Sequence, residues 1–208
     1  MRQLDHVRWI GGGSGAGKST VSLRLAERFG LRLYSTDAAI GPHAAKLTAD
    51  AAPLLEDFRA MPLDERWVHR DPSAMFRAFP WFHGEGFDRV VEDLQALAGG
   101  GVVLAEGFRL LPHLVRPLLR NTHHAVWLIP TPSFRRAAFT RRSAREAFWL
   151  RTSDPQRALA NLLERDEIFT NAVATDAARN GLATRVVDGS RSIDDEVDGL
   201  AARFGLLR

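Results

Sequence analysis

Eight consecutive residues, Gly12-Gly13-Ser14-Gly15-Ala16-Gly17-Lys18-Ser19, follow the spacing G-x-x-x-x-G-K-[ST]. They come directly after the apolar run Val7 to Ile10 and open an amphipathic helical pattern that starts near Lys18. Glycines at such a turn let backbone N–H groups face inward, and a helix start adds positive dipole charge, so the run from Gly12 to Thr20 is suited to cradling phosphate oxygens. Lys18 would then reach the β- and γ-phosphates of a nucleoside triphosphate, and the Ser19 hydroxyl would hold Mg²⁺. The bland alternative is a glycine-rich turn that only joins strand to helix. Lysine is nearly absent from this chain, Lys46 being the only other one, and its placement after Gly17 argues against chance. Gly99-Gly100-Gly101, by contrast, precedes a strand and reads as a plain turn.

Two acids stand where such a loop needs them. Val102-Val103-Leu104-Ala105 is an apolar strand followed by Glu106, and Leu31 to Tyr34 is followed by Ser35-Thr36-Asp37. In open α/β sheets ligands bind beyond the carboxyl ends of the strands. Glu106 is there to orient Mg²⁺ through its water or to contact substrate. Asp37 can accept or align the proton of a hydroxyl that attacks a phosphoryl group. As a simpler role, Asp37 can cap a short helix starting at Ala38. The two roles are compatible.

Residues 133 to 154 carry Arg135, Arg136, Arg141, Arg142, Arg145 and Arg151. Read as a helix, Arg135, Arg142 and Arg145 share roughly one face, and Arg141 with Arg145 is a like-charge i,i+4 pair that an anion would relieve. The segment is expected to be a lid that closes over nucleotide phosphates, with Arg142 or Arg145 touching the transferring group. The alternative is a solvated arginine face partly balanced by Glu146.

The elements that must position these groups alternate. Strands are predicted at Val7–Ile10, Leu31–Tyr34, Val102–Ala105, Ala125–Ile129 and Arg185–Val187. Helices are predicted at Lys18–Phe29, Gly86–Ala98, Pro112–Leu119, Pro155–Asn180 and Ile193–Phe204. Nearly unbroken apolar strands between amphipathic helices indicate an α/β parallel sheet covered on both faces. Residues 38 to 83 interrupt the alternation as a proline- and aromatic-rich insertion. Its rings either line a pocket for an acceptor or form a small core, and Arg66, Arg70 and Arg77 beside them would suit an anionic group or the surface equally.

Composition narrows the classes. The chain has 208 residues, with 28 Lys+Arg against 25 Asp+Glu. That near balance gives little support to nucleic acid as a partner. With no cysteine, thiol catalysis, disulfides and thiolate zinc sites are excluded, and a reducing, cytoplasmic location is expected. No apolar run reaches membrane-spanning length, and the seven histidines show no metal-binding spacing. The expectation is one domain, 1–208, with 38–83 as an acceptor-binding insertion and 133–154 as the lid.

On Gly12 to Thr20, Asp37, Glu106-Gly107, the Arg135–Arg151 segment and Val187-Asp188-Gly189-Ser190, the chain resembles the P-loop kinases of the nucleotide-kinase-like group. Small-molecule members of that group include chloramphenicol phosphotransferase and gluconate, shikimate and adenylylsulfate kinases. The resemblance implies a P-loop NTPase three-layer sandwich whose five-stranded parallel sheet has the order 2-3-1-4-5. It further implies ATP and Mg²⁺ as cofactors, with Gly189 and Ser190 beside the adenine and Arg135 or Arg142 on its other side. Glu106 stands where many P-loop proteins have Asp, and the insertion matches no acceptor signature. The leading expectation is an ATP-dependent phosphotransferase acting on a hydroxyl of a small molecule, a metabolite or an antibiotic, as a monomer or homodimer. Two alternatives stand beside it. One is a nucleoside or nucleotide kinase; the other is a regulatory nucleotide-binding module without kinase chemistry, in one form contacting RNA through its arginines.

Overall fold

The computed structural model describes residues 4–142 and 147–207. Strands β1 (Val7–Gly12), β2 (Arg32–Ser35), β3 (Val103–Glu106), β4 (Ala125–Pro130) and β5 (Thr184–Val187) form one sheet in the order β2-β3-β1-β4-β5. Every pairing is parallel. The expected α/β sheet and its strand order are therefore present.

Side-chain alternation explains why both faces are covered. Val7, Trp9, Val103, Ala105, Ala125 and Trp127 point to one face and pack with helices α5 (Phe87–Ala96), α6 (Pro112–Val115) and α8 (Pro155–Arg179). Ile10, Leu104, Val126 and Leu128 point to the other, where α1 (Lys18–Phe29) and α9 (Ile193–Arg203) close the layer. These apolar strand residues are at most 2% exposed, so the inner strands β1, β3 and β4 bury both their faces, while the edge strands β2 and β5 are partly exposed. The helix ends follow local chemistry. Gly30 takes the left-handed conformation that closes α1, and Ser192 with Asp195 forms a reciprocal capping box on α9.

Three elements differ from the periodicity. The helix expected over Pro112–Leu119 breaks after Val115 and continues as a 3₁₀ turn, Arg116–Leu118. Pro117 has no N–H, and its ring crowds the preceding turn, so a regular helix cannot run through it. The helix expected from Gly86 starts at Phe87, because Gly86 itself has a left-handed φ of 67°. The arginine segment is not one helix either: α7 (Pro132–Thr140) ends with Arg141 as its C-cap, so Arg142 lies beyond it. Arg145 lies outside the described residues.

The insertion folds as α2 (Ile40–Ala44), α3 (Pro53–Ala60), a π turn over Glu65–His69, α4 (Pro72–Arg77) and a 3₁₀ turn over Pro80–Phe82. Trp67, Val68 and Met75 share a core with Phe139, Trp149, Leu162 and Leu163. Phe82 stacks on Phe169 of α8 at 3.8 Å, with the rings 9° from parallel. Of the two uses considered for the aromatic residues, Trp67, Trp81 and Phe82 thus serve as core, at under 9% exposure.

Candidate active site

A cavity of about 610 Å³ opens at the carboxyl edge of the sheet. Its floor is the loop between β1 and α1, Ser14 to Thr20. Two glycines explain how the loop turns there. Gly17 caps α1 with φ 76°, a conformation that penalises any side chain, and a Cβ on Gly13 would collide with the Thr170 hydroxyl of α8 and with Pro130. Gly12 and Gly13 face Lys18 with their carbonyls, which accept from its Nζ at 3.2 and 2.8 Å. Burial pushes the Lys18 ammonium below its ordinary pKa, while Asp37, Glu106 and Asp166 oppose that shift and Arg142 adds to it. A cation held on weak backbone acceptors at the N-terminus of a helix is organised for an incoming anion.

Strand register assembles the next group. Ser35 of β2 and Ile10 of β1 both lie level with Glu106 of β3. The Glu106 carboxylate, 2% exposed, accepts from Ser35 Oγ at 2.6 Å through one oxygen and from Ser19 Oγ at 3.1 Å through the other. The hydroxyl and carboxylate expected to serve Mg²⁺ therefore stand together. The hard oxygen donors of Ser19 and Glu106 suit that ion. Among the described residues no group of three or more His, Cys, Asp or Glu is placed to hold a metal unaided. Such a donor pair fits an ion whose remaining ligands are phosphate oxygens and water.

Asp37 lines the cavity just beyond β2. Behind it lies a buried chain that sequence reading did not single out. Arg109 lies over the Trp81 ring at 4.5 Å and donates to Gly86 O at 3.1 Å. It also reaches Thr36 O at 3.5 Å and His43 Nδ1 at 3.1 Å. Because a guanidinium only donates, His43 Nδ1 accepts, and the ring proton sits on Nε2, 2.8 Å from Asp93 Oδ2. Tyr34 donates to the same oxygen at 2.8 Å. Burial works to raise the Asp93 pKa, but the Tyr34 and His43 hydrogen bonds and nearby cations leave it below the ordinary value.

The arginines separate. Arg141 and Arg142 line the cavity, and the Arg142 guanidinium lies 3.8 Å from the centre of the Phe139 ring. Arg135 is 2% exposed and does not line this cavity. It donates to Thr170 Oγ1 at 2.6 Å and lies beside Gly15, bracing the loop from behind. Arg151 is exposed at the end of its 3₁₀ turn. Gly189 lines the cavity and closely approaches the Phe134 ring, whereas Ser190 turns back to donate to Asp188 through both N and Oγ.

Arg165 and Asp166 of α8 also line the cavity, and neither was among the expected site residues. A signal was available: Asp166 and Thr170 fall on the same three- and four-residue steps as Leu162, Phe169 and Val173. A charge on a buried stripe needs a partner, and here Arg165 supplies it.

The strand–glycine loop–helix unit, the 2-3-1-4-5 sheet and the hydroxyl–carboxylate pair at its edge give this chain the fold of the P-loop kinases. In agreement, it resembles a gluconokinase from Sinorhizobium meliloti, with a TM-score of 0.51 and 18% identity over 99% of this chain and 94% of that one. A sugar kinase from Janibacter sp. aligns with a TM-score of 0.48 and 15% identity, over 99% of this chain and 96% of that one. No protein-family model matches the sequence, and no curated protein does.

Proposed function

We propose that the protein is an ATP-dependent phosphotransferase that moves the γ-phosphoryl group to a hydroxyl of a small molecule. The observation carrying this reading is the convergence of Lys18, the Ser19–Glu106 pair and Asp37 on one cavity edge. A nucleotide-binding module needs the first two; a carboxylate facing the cavity beyond them is what an acceptor hydroxyl requires.

Lys18 exchanges the carbonyls of Gly12 and Gly13 for phosphate oxygens. Ser19 and Glu106 would hold Mg²⁺, which supplies charge neutralisation on the phosphates. Asp37 takes or aligns the acceptor's proton as the acceptor oxygen bonds to the γ-phosphorus. The bond from that phosphorus to the bridging oxygen breaks, and ADP leaves with the electron pair. Arg141 and Arg142 face the same space and are placed to balance negative charge on the transferring group. Phe134 and Gly189 both line the cavity, on the side where the base would lie. The likeness to a gluconokinase supports a small-molecule acceptor. The test is ADP release against a panel of sugars, polyols, hydroxy acids, nucleosides and antibiotics: acceptor-dependent turnover in one small-molecule class is expected. ATP binding with no acceptor dependence would favour the regulatory module.

A further inference from the structure

Glu106 ends β3 as a buried carboxylate, and strand register explains what surrounds it. Leu104 and Glu106 stand two residues apart, so they share one face of the sheet, the face closed by α1 and α9. Ser35 pairs with Glu106 between β2 and β3 and points to that face beside it. Ser19 reaches the same spot from the first turn of α1. The backbone is fixed as well, since Thr36 N donates to Glu106 O at 2.9 Å and Gly107 N donates to Ile10 O at 3.1 Å. A carboxylate only 2% exposed must be satisfied by donors. Two hydroxyls do so here, one on each oxygen: Ser35 Oγ donates to Oε1 at 2.6 Å and Ser19 Oγ donates to Oε2 at 3.1 Å. The two serines are not equivalent. Ser19 belongs to the loop and lines the cavity, whereas Ser35 belongs to a strand, stands outside the lining and makes the shorter bond.

We infer that Ser35 is a positioning residue for the metal site: by occupying Oε1 it turns Glu106 so that Oε2 stays with Ser19, on the side of the glycine loop. Two hard oxygens are then presented together to Mg²⁺ that arrives with a triphosphate. A glutamate side chain has several staggered rotamers, and one contact at 3.1 Å is a weak means of choosing among them. The second anchor removes that freedom. Because it comes from β2 and not from the loop, it holds Glu106 independently of what Ser19 contacts. Groups that orient a metal-binding carboxylate are typically worth about ten- to a hundredfold in metal affinity. A Ser35 that only satisfied a buried charge would instead affect stability and leave the contribution of the ion unchanged.

The inference rests on the nucleotide site of the phosphotransferase reading, and its test separates the two. ATP affinity is measured by calorimetry in EDTA and in excess Mg²⁺ for wild type, Ser35→Ala, Glu106→Gln and the double variant, with thermal unfolding to report whether each one folds. In the wild type Mg²⁺ should tighten ATP binding. Ser35→Ala should leave the affinity in EDTA unchanged and cut the gain from Mg²⁺ by about tenfold or more. In the Glu106→Gln background Ser35→Ala should cause no further cut, because Ser35 acts through that carboxylate. If the alanine variant does not fold, Ser35→Thr and Ser35→Val take its place: they match in shape and differ in the hydroxyl, so only the threonine variant should keep the gain. No gain in the wild type, an undiminished gain in Ser35→Ala, equal gains in the threonine and valine variants, a further cut in the Glu106→Gln background, or failure of every Ser35 variant to fold would each overturn the inference. Lys18→Ala is the control for the reading beneath it. ATP binding that does not depend on Lys18 would bring down the nucleotide site itself, whereas Lys18-dependent binding with a Mg²⁺ gain that Ser35 does not affect removes only the role of Ser35.

Discussion

Part of the cavity lining comes from a single run, Ser14 to Val21, whereas Asp37, Phe108, Phe148, Leu162, Arg165 and Asp166 come to it from distant parts of the chain. The loop end is made of backbone: N–H groups, a helix start, and one lysine resting on two carbonyls. The rest is made of side chains, among which Arg165 is paired with Asp166 and Phe148 and Leu162 pack with Trp67 of the insertion. Backbone that cradles phosphate is tied to a short motif and serves any triphosphate. Side chains brought from separate elements are set by packing, so no short motif announces them.

The largest effect that would break this comparison lies at the loop end. Lys18→Ala should reduce turnover to background while leaving the melting temperature nearly unchanged, since among the described residues Nζ hydrogen-bonds to loop carbonyls alone. A variant with near-wild-type phosphotransfer would remove the loop from the mechanism. Next come the arginines. Losing a contact to the transferring group at Arg141, Arg142 or Arg145 should lower kcat by on the order of 10³-fold. Arg135→Ala should instead lower stability, because its side chain is buried against Thr170 and Gly15. Single-alanine kinetics beside thermal unfolding separates the two kinds of arginine; full activity in every one of these variants would make the cluster a solvated face.

Just beyond β2, Asp37→Asn should lower kcat by roughly 10²-fold or more with ATP affinity unchanged. Loss of ATP binding together with stability would assign Asp37 a structural or metal role. The smallest effect belongs to the chain behind it. Asp93 has a folded pKa below its ordinary 3.8, so the charged form is favoured by folding. Its contribution is complete above the unfolded value and is lost as pH falls through the folded one. Asp93→Asn should therefore lower the melting temperature by a few degrees at neutral pH and flatten its decline in acid. A decline as steep as in wild type would mean that Asp93 is not the group titrating.

What could be read without coordinates divides along the same line. The glycine loop, Asp37 and Glu106 announce themselves by spacing and by their place after apolar runs, and the alternation of elements carries the sheet. Ser35 does not: only the β2–β3 register sets it beside Glu106. Nor does Arg109, whose partners lie in the insertion and before α5. Arg135 shows the opposite failure. Its neighbours in sequence make it look like one of a cluster, yet its helix face turns it to Thr170 while Arg141 and Arg142 face the cavity. Asp166 was legible as a charge on an apolar stripe, but its partner was adjacent in sequence and pointed to no distant contact.

The central claim is transfer of a phosphoryl group to an organic hydroxyl, and the most direct measurement follows the label. Protein is incubated with Mg²⁺ and ATP radiolabelled at the γ-phosphorus, in the presence of the acceptor class that gives ADP release in the turnover panel, and products are separated by charge. The account predicts an acid-stable organic phosphate ester carrying the label, formed by the wild type, absent with Lys18→Ala and strongly reduced with Asp37→Asn. Label that stays in ATP, or appears only as inorganic phosphate while ATP still binds at Lys18, would contradict it.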